Sequence, residues 1–232
     1  MVTTSRASTD GDQVAFPAAL ERPDRLTDSV FDLVRDAIMN RSIGPGATVT
    51  EAELASRLNV SKTPVRETMI RLKEMGLLVQ EGRRLRVIAP SLENIREAYE
   101  FRLCIEPYCA RLAARNAAAG LSNGVVESAH RSMLSVQDDT AYYATGKAFH
   151  LGVAEASGND LLRRAVEQAH VFTVTLSRRD LTRVVDQAGR ANDHEEIAAA
   201  ISAGDEDLAG RLMERHITVL LDSALKRFAG EE

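Results

Sequence analysis

Tryptophan is absent from the 232-residue chain, aromatic residues amount to 4 %, and there are two cysteines. Each shortage closes off a class of protein. Cys104 and Cys109, five positions apart, match neither a zinc pair nor a redox pair and read as two free core thiols. With few aromatics, and with leucine, alanine and arginine dominant, the composition favours helix. No apolar run approaches the roughly 18 residues of a membrane span. The first 25 residues are polar and lack the apolar core of a signal peptide, so the expected location is cytoplasmic. Basic residues are not in excess either, and a net charge of −5 excludes a basic nucleic-acid coat.

What is present is unevenly distributed. From Ser61 to Ile88 seven basic residues face three acidic ones, a net +4 that leaves −9 for the rest of the chain. A basic island in an acidic protein points to a local contact with nucleic acid. The acidic remainder argues against a non-specific architectural DNA binder, which depends on phosphate neutralisation.

The hydrophobic pattern divides the chain. Residues 1–25 show no periodicity and read as a flexible arm. Leu26, Val30, Leu33, Val34 and Ile38 recur at helical spacing, with Thr27 or Asp28 as N-cap, until Gly44-Pro45-Gly46 breaks the helix. A second helix begins at Thr50, where Thr50 and Glu53 form a capping box, and ends near Asn59. A third takes Thr63 as N-cap and Pro64 as first residue, buries Val65, Met69 and Leu72, and stops at Gly76. The period then switches. Leu77 to Gln80 and Leu85 to Val87 read as two strands of a hairpin turning at Glu81-Gly82. After Ser91 helical spacing returns, with breaks at 120–124, 157–159, Gln187 to Asn192, and Gly204-Asp205, which predicts six or seven helices. The expected fold is mainly α: a winged helix-turn-helix over 26–90 and an all-helical region over 91–229.

The chemistry of the first part suits DNA. Ser61, Lys62 and Thr63 sit where hydroxyls and free backbone N–H groups hold a phosphate. Arg66, one turn in and off the buried stripe, can reach the O6 and N7 acceptors of guanine. Arg71 and Lys73 face backbone phosphate, and Arg83 and Arg84 at the hairpin tip face phosphate or minor groove. Taken singly, any of these reads equally as a solvated charge; the ordered cap, helix, turn and basic wing is what points to DNA. Ile43-Gly44-Pro45-Gly46, Glu53-Leu54-Ala55, Val60 through Glu67, Leu72 and Gly76-Leu77 closely resemble the GntR family of bacterial transcription regulators. The resemblance implies operator contacts by Ser61, Lys62, Thr63 and Arg66, and less firmly by the wing.

The second part resembles the FadR-type ligand-binding domain of that family, the FCD class, through Arg102 with Glu106, Phe149-His150, Ala156 to Asn159, His194, Ala200 with Gly204-Asp205, and His216. It implies an all-helical antiparallel bundle, a homodimer, a small carboxylate effector, and a divalent ion held by His150, His194 and His216; a dimer reads a palindromic operator, and the expected function is that of a repressor. Neutral imidazoles suit Zn or Ni. The class carries an acid one helical turn before the first histidine; here that position is Gly146, and Asp138 and Asp139 lie out of register. The alternative is a metal-free site binding an anion. Arg102 takes either an effector carboxylate or Glu106 as its partner. His130 and His170 carry no motif and read as surface or satisfied core residues. A competing reading, a metal-dependent hydrolase on the three histidines, lacks an evident base: after His194-Glu195-Glu196, Ala198 stands where a zinc-protease helix needs its second histidine.

Overall fold

A computed structural model describes residues 25–121, 139–176 and 187–230, with single positions 124, 126, 128 and 131 between them. Eight helices and one small sheet lie among them. The N-terminal unit runs α1 (Arg25–Met39), β1 (Thr48–Val49), α2 (Glu51–Leu58), α3 (Lys62–Glu74), β2 (Leu78–Glu81) and β3 (Arg84–Val87). The C-terminal unit consists of α4 (Leu92–Ala118), α5 (Asp139–Ala156), α6 (Asp160–Leu176), α7 (Gln187–Ser202) and α8 (Glu206–Ala229).

Local chemistry explains the first unit. The α1 stripe is Val30, Phe31, Val34 and Ile38, whereas Leu26 and Leu33, expected in it, are 50 % and 60 % exposed. Thr50 caps α2 by accepting from the Glu53 N–H at 3.2 Å. Asn59 ends α2 in the left-handed region, φ 52°. Ser61, not Thr63, is the N-cap residue of α3, without a side-chain cap bond, so Pro64 stands third in the helix. Its missing N–H is still one of the first four that have no intrahelical partner. Past α3, Gly76 at φ +74° reverses the chain. Phe172 lies 3.0 Å from where a β-carbon there would be, so two demands select glycine.

The hairpin is β2–β3, and β1 joins its far side in the order β1-β3-β2, all antiparallel, with Val49 opposite Leu85 and Leu78 opposite Val87. The strand β1 was not expected; two residues are too short to show a period. Val34, Ile38, Val49, Leu54, Val65, Leu72 and Leu77 form the core of this unit, together with Val171 from α6.

The second core gathers around α4, which packs on α5, α6, α7 and α8. Ser91 caps α4 by accepting from the Asn94 N–H at 3.0 Å. Ala118 lies beside Gly204, Arg115 pairs with Glu206 and Arg111 with Asp207, so α4 and α8 run antiparallel. Small residues allow the approach: Ala110, Ala113 and Ala114 are buried on α4, and the Arg111 side chain covers Gly210 at 2.6 Å from a notional β-carbon. Five helices are seen here rather than six or seven, with most of 122–138 and all of 177–186 outside the described residues. The break expected over Gln187 to Asn192 is absent, since α7 runs through it. Cys109 is buried as expected, but Cys104 is exposed. At the seam between the units, Met75, Gly76, Ala98, Phe101, Ala169 and Phe172 line a cavity of about 310 Å³.

Candidate functional site

Two groups of polar residues stand out. The first surrounds the start of α3. Ser61, Lys62, Thr63 and Arg66 are exposed, as are Arg83 and Arg84 on the turn and first residue of β3. Arg66 reaches back to Glu51 at the N-terminus of α2, with bonds of 3.0 and 2.9 Å to its two oxygens. That bonding holds the Glu51 carboxyl below its usual range. Arg71 pairs with Asp28 at 2.8 Å and lies 3.8 Å over the Phe31 ring, tying α3 to α1. Arg86 donates to the Gly46 carbonyl at 3.1 Å and lies 2.9 Å from Glu81. Among the described residues Lys62, Lys73, Arg83 and Arg84 form no ion pair.

The second group is buried. His150 on α5, His194 on α7 and His216 on α8 bring one ring nitrogen each within 4.8 Å of the others, all three side chains shielded from solvent. The Nε2 atoms of His194 and His216 are 2.9 Å apart. Nδ1 of His216 lies 3.1 Å from Oδ2 of Asp193. Phe149 stacks on His194 with ring centroids 4.2 Å apart. Burial pushes His150 down to about 3, so it is neutral at ordinary pH. Three buried neutral imidazoles within 4.8 Å of one another are a donor set suited to Zn or Ni. The donor set therefore fits a divalent ion. It contributes no charge, because Gly146 precedes His150 by one turn and a β-carbon there would meet nothing within 4 Å.

Beside it lies a network of which the sequence offered only the Arg102–Glu106 pair. Glu106 on α4 is 1 % exposed. Its Oε1 takes a 2.6 Å bond from Arg102 and lies 3.3 Å from Nε2 of His170; its Oε2 is 2.5 Å from Nδ1 of His150. The His150 and His170 contacts lie off the ring N–H axes, so Oε2 of Glu106 and Nε2 of His170 are close to charge without a well-directed hydrogen bond. Burial alone would raise the Glu106 carboxyl; the Arg102 charge beside it overcomes this and holds the group well below the carboxylate range. Arg102 also brings one terminal nitrogen within 3.5 Å of both His150 ring nitrogens. Of the two partners weighed for Arg102, the structure supplies Glu106. His170, which carried no motif, joins this network; His130 lies outside the described residues. Glu106 and His170 stand 64 positions apart and Asp193 and His216 stand 23 apart, so no local spacing announces either pair.

A three-helix head with an antiparallel wing, joined to a helical bundle with a buried histidine centre, defines a class of transcription regulator. The comparisons specify it. Residues 26–87 match the model for bacterial regulatory proteins of the gntR family, and 97–219 match the FCD domain. The chain belongs to the GntR family and carries an FCD domain. It is 30 % identical to a probable D-xylose utilization operon transcriptional repressor of Paenarthrobacter nicotinovorans, over 84 % of this chain and 87 % of that one. It is 24 % identical to the transcriptional repressor RspR of Escherichia coli, over 85 % and 88 %. A solved GntR regulator from Rhodococcus sp. RHA1 superposes with a TM-score of 0.67 at 25 % identity, covering 86 % of this chain and 97 % of the other. The family and these relatives are transcription regulators rather than enzymes, which sets the hydrolase reading aside. No described helix is long and apolar enough to cross a membrane.

Proposed function

We propose that this protein is a ligand-responsive repressor that binds, as a homodimer, a short inverted-repeat operator in the cytoplasm. The observation that carries the reading is the exposed start of α3, with Ser61, Lys62 and Thr63 at its N-terminus and Arg66 one turn on, inside the family-matched segment. Free N–H groups and hydroxyls there suit a phosphate. Arg66 exchanges Glu51 for a guanine edge in the major groove. Arg71 and Lys73 follow the phosphate backbone, and Arg83 and Arg84 carry the wing to the adjacent phosphates or minor groove. Residues 26–90 form the reading head and 91–229 the sensor and dimerisation domain. A dimer sets two heads one helical turn apart on the duplex, about 34–36 Å.

In the sensor, His150, His194 and His216 hold a divalent ion, Zn or Ni being suited to neutral imidazole. When bound, the ion supplies a Lewis-acidic centre with open positions for a small carboxylate. Arg102, beside His150, is the nearby positive charge for that effector. Binding alters DNA affinity only through a difference in effector affinity between the DNA-competent and DNA-incompetent forms. Selection from a random duplex pool with the full-length protein tests the central reading. The expected product is an enriched inverted repeat bound by two copies; equal affinity for enriched and random DNA would overturn it.

A further inference from the structure

Three imidazoles make a centre with no charge of its own, since Gly146 stands where an acid would reach in from α5. Glu106 lies 2.5 Å from Nδ1 of His150, and a second carboxylate reaches another candidate ligand from α7. Asp193 precedes His194 on α7, and its Oδ2 lies 3.1 Å from Nδ1 of His216 on α8. Its other oxygen is 3.4 Å from Arg215, whose guanidinium also holds Glu196 at 2.6 Å. The Asp193 side chain is 22 % exposed, the His216 side chain 2 %. One residue thus ties two of the three candidate ligands together, His194 through the backbone and His216 through a hydrogen bond.

The chemistry of that bond has one direction. An ionised carboxylate only accepts, so Nδ1 of His216 must donate. A neutral imidazole carries one N–H, and the bond made by one nitrogen decides the state of the other. Nε2 of His216 is then bare, and it faces Nε2 of His194 at 2.9 Å.

We propose that Asp193 is the positioning residue of this centre: it fixes His216 as the Nδ1–H tautomer and supplies, through that ring, the negative charge that Gly146 withholds. This rests on the metal reading given above. A carboxylate behind a ligating histidine orients the ring and raises its basicity, and its loss weakens metal binding by about 10–100-fold.

The test uses the full-length chain stripped with a chelator. Multiple-bond ¹H–¹⁵N spectra of the histidine rings should show His216 protonated at Nδ1, and Asp193→Ala should shift it toward the other tautomer. Zn²⁺ and Ni²⁺ affinities from competition with a chromophoric chelator should fall about 10–100-fold in Asp193→Asn and Asp193→Ala. They should recover when Gly146→Asp is added, the space at 146 being open. Asp193→Asn keeps size and polarity, and its circular dichroism checks the fold. An Asn variant within about twofold of wild type, or a wild-type His216 protonated at Nε2, would overturn the proposal. If wild type takes up neither ion, the metal reading fails and the charge-supplying role with it; the ring spectra then decide by themselves whether Asp193 orients His216.

Discussion

The two parts of the molecule treat charge in opposite ways. In the head, Arg66 with Glu51 and Arg71 with Asp28 are pairs on the surface. Such pairs contribute about 0–1 kcal/mol, so either arginine can leave its partner for a phosphate or a base at little expense. In the sensor, Arg102, Glu106, His150, His170, His194 and His216 are all buried. An ion there costs several kcal/mol to desolvate and is tolerable only within its network, so none of the charges can leave singly. Charges on the exposed face are exchangeable; those in the buried network are locked by their partners.

That contrast sets the scale of the expected effects. The largest should follow Glu106→Ala, which strands Arg102 in the core and should cost about 3–5 kcal/mol in urea unfolding. The double change Arg102→Met with Glu106→Leu should recover most of it, since neither charge remains. A loss below about 1 kcal/mol for the single change would put the sensor pair in the same class as the surface pairs. Next, Zn²⁺ at 100 times its dissociation constant should stabilise the protein by about 2.7 kcal/mol, and His194→Ala should abolish the gain. An unchanged gain in that variant would remove His194 from the ligand set. Arg66→Ala should weaken the selected operator by about 1–3 kcal/mol and relax base preference, while unfolding stability moves by less than about 1 kcal/mol. Preserved discrimination would show that Arg66 does not read bases. The smallest effect belongs to Lys62→Ala and Arg83→Ala, each weakening all DNA alike and lowering the salt slope by about one. A loss confined to the operator would move either residue from phosphate to base contact.

The same contrast explains what the sequence revealed. The head is built from local signals: Thr50 with Glu53, Pro64 near the start of α3, Gly76 after its end and Gly82 in the turn all act within a few residues, and each was legible. Where a signal needed more than one turn, it blurred. Phe31 and Leu33 differ in burial because α3 lies on one side of α1, which periodicity alone does not reveal. The sensor histidines were found through resemblance and not through spacing. The partners that set their state, Glu106 and Asp193, come from α4 and α7 and meet them only after the helices pack. Gly146 was visible as a missing acid. That Asp193 stands behind His216 required the antiparallel stack.

Val171 has a consequence of its own. It belongs to the core of the head although it is carried by α6, directly after His170 of the buried network and directly before Phe172, which lies under Gly76. Burying a valine contributes about 1.5–3 kcal/mol. A head cut away at Pro90 would lose that side chain and expose its socket, together with the face of Gly76 that Phe172 covers. In this chain the head and the helical domain therefore share part of a core: a chimera that keeps this head should also keep the α6 surface carrying Val171 and Phe172.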